Sequence, residues 1–163
     1  DEISDWYTDS DFVRKMDTAA ARPLTGEELE RTYRNLDRNT EYYFHVHSLE
    51  DDHLLGFVTL FNIEWHNQVA QLAIAIGDPD ERGHGYGTES LSLILNFAFN
   101  ELNLYKVCLD VIATNPAAIA VYQNSGFEFE GTNKRAIKRD GQRIDLYHMG
   151  LFAADFQPRV TLN

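Results

Sequence analysis

The chain of 163 residues carries a formal net charge of −12, from 26 acidic and 14 basic side chains. A nucleic-acid partner is not expected, since phosphate binding requires a basic surface. The length suits one domain, residues 1–163, and the hydrophobic fraction of 44% is sufficient for a core. The acidity has two open interpretations, which are simple solubility and attraction of a cationic substrate.

Cysteine content and hydropathy indicate in which cellular compartment the protein is expected. Cys108 is the only cysteine, so no disulfide can form within the chain, and a reducing, cytoplasmic location is expected. The longest apolar stretch, "LLGFVTLF", is far shorter than the ~20 residues of a spanning helix. No membrane partner is therefore expected.

The first half of the chain predicts helices followed by an antiparallel meander. In "TGEELERTYRNL", Thr25 is the expected N-cap, and Glu28 three residues later completes a capping box. Three strands should follow, in "EYYFHVHSL", "LLGFVTLFNIEW" and "QVAQLAIAIG". The intervening "HNQ" is typical of a hairpin turn between the last two strands.

The second half predicts alternating helices and strands. Apolar residues recur at helical spacing in "TESLSLILNFAFNEL", and "KVCLDVIA" is strand-like. Asn115-Pro116 predicts a helix start, and Gly126 predicts its end. The strands "FEFEGTNKRAIKR" and "RIDLYHMGLF" flank Asp-Gly, a strong hairpin signal. This order predicts a mixed α/β sheet with helices on its faces.

The glycine-rich stretch "GDPDERGHGYGTESL", residues 77–91, lies between a predicted strand and a predicted helix. It has three interpretations: a tight turn, a nucleotide loop, or a cradle for another phosphate. The first amides of a helix attract anions, and glycines permit close approach and positive φ, as expected for Gly85 and Gly87. The stretch lacks the lysine of a Walker loop, and Thr88 breaks the dinucleotide fingerprint. Taken alone, the pattern favours a turn.

A second segment, "NPAAIAVYQNSGF" at residues 115–127, changes that interpretation. Together with the Arg82-x-x-Gly85-x-Gly87 pattern, it resembles the GCN5-related N-acetyltransferase (GNAT) family, over roughly residues 54–152. Within that family, the chain looks most like the enzymes that acetylate ribosomal-protein N-termini and their spermidine-acetylating relatives. The resemblance implies an α/β (α+β) fold, with a largely antiparallel sheet splayed at its central strands. The family's first strand is not evident at "DEISDW", so we expect it to be missing or disordered.

The resemblance also implies acetyl-coenzyme A as cosubstrate, with no metal. Its pyrophosphate would be wrapped by a continuous set of backbone groups: Arg82, Gly83, His84, Gly85, Tyr86, Gly87 and Thr88. Its pantetheine arm would lie along the backbone of Ile74, Ala75 and Ile76. Asn115 would be a helix cap first and a cofactor contact second. Arg82 would add charge at the start of the loop, or is alternatively a solvated arginine.

The acceptor implied by the resemblance is a primary amine, either a small molecule or a protein N-terminus. Tyr122 resembles the family's tyrosine that protonates the leaving thiolate, and its alternative is a core tyrosine. Asp110 and Glu64 are the candidates for removing the amine's proton, unless they are solvated strand carboxylates. A metal site is not expected, because His45 and His47 fit simple alternation along a strand.

The early helices are rich in acids, which would draw in a cationic amine. These acids are Asp5, Asp9, Asp11, Asp17, Glu27, Glu28 and Glu30. Two rival functions stay open, namely a non-catalytic sensor of acyl-coenzyme A on the same fold and a structural or interaction domain with a degenerate loop. A homodimer is also an open alternative.

Overall fold

The computed structural model describes residues 2–158 of the chain. Short helices come first, a three-stranded antiparallel meander follows, and the second half alternates helices and strands before a closing hairpin, as predicted. The elements are α1 Glu2–Trp6, α2 Ser10–Met16, α3 Gly26–Arg34, β1 Tyr42–His47, β2 Leu54–Glu64, β3 Val69–Ile76, α4 Tyr86–Asn96, β4 Lys106–Ile112, α5 Pro116–Asn124, β5 Glu128–Arg139 and β6 Gln142–Phe152. The expectation that the family's first strand is missing or disordered concerns the start of the chain and lies outside the described residues.

The described strands form one sheet of six, in the order β1-β2-β3-β4-β6-β5. Neighbouring strands are antiparallel except for β3 and β4, which run parallel. That parallel pairing covers only three residues on each strand, Val69–Gln71 against Lys106–Cys108. The predicted splay of the central strands is therefore confirmed. It leaves residues 72–76 of β3 unpaired with β4, so one edge of that backbone is open.

Helices pack on both faces of the sheet, as predicted. On one face α4 and α5 bury a large core, whose fully buried members include Leu60, Leu91, Leu95, Val107 and Leu109. On the other face α2 packs Phe12 and Val13 against Phe57 and Ala75 of the sheet. Phe57 and its neighbour Val58 are both buried, because β2 is covered on both sides. This explains the continuous apolar run in "LLGFVTLF".

The local sequence signals are confirmed at the ends of several elements. Thr25 and Glu28 form the reciprocal capping box of α3. The Asn115 side chain accepts a hydrogen bond from the amide of Ala118 at 3.3 Å, which caps α5. The turn between β5 and β6 has positive φ at both Asp140 and Gly141, as an Asp-Gly hairpin requires.

Helix α4 differs from the prediction at both ends. It begins at Tyr86, two residues before the expected start, because Gly85 turns the chain in a left-handed conformation (φ 92°). It gives way after Asn96 to a π-helical turn over Phe97–Glu101, where the expected helix would have continued. The early start places the glycine loop directly on the helix N-terminus.

Candidate active site

The glycine loop leaves the end of β3 and enters α4 without a side-chain cap. Gly83 and Gly85 have φ of +81° and +92°, values that side-chain-bearing residues rarely adopt. Gly85 is the N-cap of α4 and makes no side-chain cap hydrogen bond to the amides of the first turn. Such amides, together with the helix dipole, attract an anion.

Gly87 differs from its two neighbours in the loop. It lies inside α4 and is not among the glycines with positive φ, so the expectation of positive φ is wrong at this position. A Cβ added at Gly87 would lie 3.9 Å from Ile76 Cγ1, an ordinary van der Waals contact. The fold itself therefore tolerates a side chain at Gly87. Because Gly87 has no side chain, its backbone is directly accessible from the cavity that this residue lines.

Arg82 ties the loop to the end of β3. Its Nε donates to the Ile76 carbonyl at 3.1 Å, and its Nη2 donates to the Gly77 carbonyl at 2.8 Å. These bonds explain why the side chain is half-buried rather than solvated. A positive charge is thereby held at the start of the loop, on the wall of the adjacent cavity.

A first cavity, the loop cavity, has a volume of about 470 Å³ and lies between the glycine loop, β3, α2 and α5. It brings together most of the residues predicted for the cosubstrate. Those on its wall are Ile74, Ala75, Ile76, Arg82, Gly83, Gly85, Gly87, Thr88 and Asn115. His84 and Tyr86 do not line it, and their rings lie 6.3 Å apart beside the loop.

Tyr122 lines the same cavity from α5. Its side chain is only 8% exposed and packs edge-on against Phe127, with ring centroids 5.9 Å apart. Burial raises the pKa of Tyr122 to about 12, because a phenolate would lose its hydration there. The phenol therefore stays protonated at neutral pH and can serve as a proton donor. Tyr122 is thus a core residue that also lines the loop cavity.

A second cavity, the carboxylate cavity, has a volume of about 650 Å³ and adjoins the first. Lys15 and Met16, at the end of α2, line both cavities. The second cavity lies where β3 and β4 separate, and it receives three carboxylates from three parts of the chain. These are Asp17, Glu64 and Asp110.

The two predicted proton acceptors are both placed in this cavity, each with a partner. Glu64 accepts from Asn67 Nδ2 at 2.6 Å, in the turn between β2 and β3. Asp110 Oδ1 lies 2.5 Å from His148 Nδ1, and these two residues face each other in the β4–β6 register. His148 was missed by the sequence analysis. Only the strand register, a tertiary property, brings it next to Asp110.

Few of the acids in the early helical region line this cavity. Of the seven, Asp17 alone lines it. Three others are paired locally with basic side chains of their own helical region: Asp11 with Lys15 at 2.6 Å, Glu28 with Arg22 at 2.9 Å, and Glu30 with Arg34 at 3.0 Å. Among the carboxylates on this wall, one comes from the early helical region, Asp17, and the other two come from β2 and β4. Attraction of a cationic amine by the early acids stays a prediction.

Two further findings concern metals and membranes. Within residues 2–158, no three side chains of His, Cys, Asp or Glu are grouped so that they could hold a metal ion. In the same range, every helix is too short or too polar to cross a bilayer.

Comparison with known proteins places this geometry in a family. Residues 1–128 match the family model described as "Acetyltransferase (GNAT) domain". The probable N-acetyltransferase YjcK of Bacillus subtilis is 32% identical over 107 residues, 65% of this chain and 59% of that protein, so the match spans less than two thirds of YjcK. The spermidine N(1)-acetyltransferase of Vibrio cholerae is 29% identical over 134 residues, 82% of this chain and 76% of that protein.

A solved structure extends the match to nearly the whole chain. The spermidine N-acetyltransferase from Vibrio cholerae, in complex with CoA and spermine, superposes with a TM-score of 0.85 at 25% identity. The match covers 94% of this chain and 89% of that one. The predicted fold, the resemblance to spermidine-acetylating enzymes and acetyl-coenzyme A as cosubstrate are confirmed at the level of the family. The chain belongs to the GNAT acetyltransferase family, whose reaction is the transfer of an acetyl group from acetyl-coenzyme A to an amine.

Proposed function

We propose that this acetyltransferase acts on a small amine that carries more than one positive charge, such as a polyamine. The observation that carries the proposal is the position of the carboxylate cavity, which adjoins the loop cavity at Lys15 and Met16. Three carboxylates converge there from different elements, which suits an acceptor with several ammonium groups. The Vibrio cholerae relatives, whose names specify spermidine as the substrate, support the same class.

The loop cavity fits the phosphate end of acetyl-coenzyme A. The uncapped N-terminus of α4 offers amide donors, and Gly87 allows an anion to approach the backbone closely. Arg82 places a positive charge beside those donors. The open edge of β3 over residues 72–76 provides backbone groups for the pantetheine arm.

The chemistry requires a proton donor and a proton acceptor on opposite sides of the reacting carbonyl. Tyr122 is proposed as the donor to the leaving thiolate, since burial keeps the phenol protonated. An alkylamine with an ordinary pKa of ~10.4 is neutral in only roughly one molecule in 2500 at pH 7, a handicap of about 4.6 kcal/mol. The side chains of the carboxylate cavity are proposed to help remove that proton.

An acceptor panel tests the proposal. Thiol release from acetyl-coenzyme A is measured with spermidine, spermine, putrescine, butylamine and a short peptide with a free N-terminus. We expect kcat/KM to be at least tenfold higher for spermidine than for butylamine, since only spermidine can engage the additional carboxylates. Asp17→Asn and Glu64→Gln should reduce that ratio, whereas Glu30→Gln, which alters a surface pair with Arg34, should not.

The outcomes separate the alternatives that the sequence left open. Equal kcat/KM for spermidine and butylamine, or a clear preference for the peptide, would overturn the polyamine proposal. Binding of acetyl-coenzyme A without turnover of any amine would favour the non-catalytic sensor. A cytoplasmic location and a homodimer stay predictions.

A further inference from the structure

We propose that His148 is the proton acceptor for the reacting amine and that Asp110 holds its imidazole ring in the working tautomer. The inference rests on the proposed function, because it assigns a catalytic role within the carboxylate cavity. It also revises the sequence-based candidate, since Asp110 becomes a positioning residue and no longer the direct base.

The sheet fixes the placement of this pair. Asp110 and His148 are directly opposite in the antiparallel β4–β6 register, two residues along from the pair Ile112 and Leu146. All four residues line the carboxylate cavity. The residues next to them in sequence, among them Val111 and Met149, are buried in the core on the opposite face. The pair is therefore presented to the cavity by strand alternation and not by a mobile surface loop.

The hydrogen bond selects which ring nitrogen is free to react. Asp110 can only accept when ionised, so the proton between the two groups belongs to His148 Nδ1. The remaining nitrogen, Nε2, then carries a lone pair. The side chains are 36% and 47% exposed for His148 and Asp110, so an acceptor in the cavity can reach them. A carboxylate that already accepts from the imidazole is the poorer base, but it stabilises the imidazolium that forms.

The other charged groups of the cavity are available to bind the acceptor, while His148 and Asp110 handle the proton of the reacting amine. Asp17 and Glu64 line it from the loop after α2 and from β2, and Lys15 lies at the junction with the loop cavity. On β5, the residue opposite His148 is Gly131, which carries no charge. Further along β4, Lys106 is paired with Glu130 at 2.7 Å. Asp17 and Glu64 are thus the carboxylates left to hold the acceptor's non-reacting ammonium groups.

The proposed step balances in atoms and charge. The reacting ammonium gives one proton to His148 Nε2, and the freed lone pair on nitrogen forms the C–N bond at the thioester carbonyl carbon. When the C–S bond breaks, its electron pair goes to sulfur, which takes a proton from Tyr122. The second excess proton on nitrogen restores Tyr122 through solvent, and His148 releases its proton to solvent. The products are an amide, a thiol and one proton.

The test compares His148→Gln with a matched control, His45→Gln, using spermidine as acceptor. His45 lies on edge strand β1, outside the linings of both cavities. We expect His148→Gln to lower kcat by about 100-fold or more, the usual contribution of a general base. Calorimetric affinity for acetyl-coenzyme A and the thermal midpoint should be unchanged in both variants. Asp110→Asn should lower kcat by about tenfold, because the ring loses its preferred tautomer.

The pH profile distinguishes catalysis from a structural role. The pH dependence of kcat/KM should differ between the wild type and His148→Gln, because only the wild type has an imidazole in the cavity that can take the proton of the amine. Added imidazole should restore part of the activity to His148→Ala. A variant that keeps the wild-type kcat, or one that loses activity with an unchanged pH profile and no rescue, would overturn the proposal. If wild-type protein turns over no amine at all, the proposed function fails with it.

Discussion

Gly85 and Gly87 lie two residues apart and serve different purposes. Gly85 needs its left-handed φ of +92° to start α4, so any side chain there strains the backbone. Gly87 has ordinary helical geometry, and a Cβ added there would make only a van der Waals contact with Ile76. The Arg-x-x-Gly-x-Gly pattern alone favoured a turn, and the family resemblance made it a predicted phosphate loop. Neither could distinguish a glycine required by its positive φ from one required by the space it leaves beside the backbone. That distinction depends on where the helix begins.

This difference gives a clean test of the loop. Gly87→Val should fold normally, because an added Cβ makes only an ordinary contact with Ile76. Its branches would project where the cosubstrate must approach the backbone, so the Kd for coenzyme A should rise tenfold or more, about 1.4 kcal/mol. Calorimetry measures the affinity. Gly131→Val is the control, since a Cβ at Gly131 would have no neighbour within 4 Å and lies on β5, away from the loop. Normal affinity in a folded Gly87→Val would refute the assignment of the loop.

The proposed role of Tyr122 as proton donor can be tested by removing its hydroxyl group alone. Tyr122→Phe keeps the ring that packs against Phe127 and removes only the hydroxyl. The thiolate exists only as the C–S bond breaks, so kcat should fall by about 10²–10⁴-fold while the Kd for acetyl-coenzyme A stays nearly constant. Steady-state kinetics and calorimetry check the two quantities. Tyr105→Phe, at a site that is 58% exposed, is the control. An unchanged kcat, with chemistry shown to limit the rate, would remove Tyr122 from the mechanism.

Among the elements, those with local signals were predicted well. Thr25, Asn115 and the Asp140-Gly141 turn each depend on a few neighbouring residues, so the sequence alone was enough to place them. Two features depended instead on distant parts of the chain. One is the pairing of β3 with β4 over only three residues, which was anticipated from the family resemblance and not from periodicity. The other is the attachment of α2, which no sequence pattern indicated.

Helix α2 is held by the hairpin between β5 and β6. Its last carbonyls lack partners within the helix, as at every helix end. Arg139 Nη2 donates to the carbonyl of Asp17, the C-cap, at 2.6 Å, and Arg14 forms an ion pair with Asp140. The end of α2 supplies Lys15 and Met16 to both cavities. The hairpin therefore positions the shared wall of the site from 122 residues away in sequence.

Loosening this attachment should affect both cavities together. Arg139→Gln removes the charged donor to the end of α2, so we expect the KM for the amine and the Kd for acetyl-coenzyme A to rise about threefold to tenfold. The free energy of unfolding should fall by about 1.5 kcal/mol, the lower end of the range for a hydrogen bond from a charged donor, because this bond is exposed. Kinetics, calorimetry and urea unfolding provide the measurements. Arg143→Gln, an exposed arginine on the same hairpin, is the control. If the two variants behave alike, the attachment has no role in the site.

At the scale of the whole molecule, the net charge of −12 is unevenly distributed between the two cavities of the site. Composition alone left solubility and substrate attraction equally open. The structure shows that several surface acids are neutralised by local partners, such as Glu30 by Arg34. Asp17, Glu64 and Asp110 are instead gathered in one cavity, while the opposite end of the site presents Arg82 and helix amides. A cationic acceptor and an anionic cosubstrate would thus be attracted to different ends.

This separation predicts a salt dependence that scales with the charge of the acceptor. Between about 0.05 and 1 M salt the screening length shrinks from above ~10 Å to ~3 Å, so attraction beyond contact distance is lost. The kcat/KM for spermidine should fall by about tenfold over that range, and the fall for butylamine should be smaller. Asp17→Asn should flatten the salt dependence for spermidine, whereas Glu30→Gln should leave it unchanged, because Glu30 is already paired. Equal salt slopes for the two amines, or none, would mean that the acidity serves solubility alone.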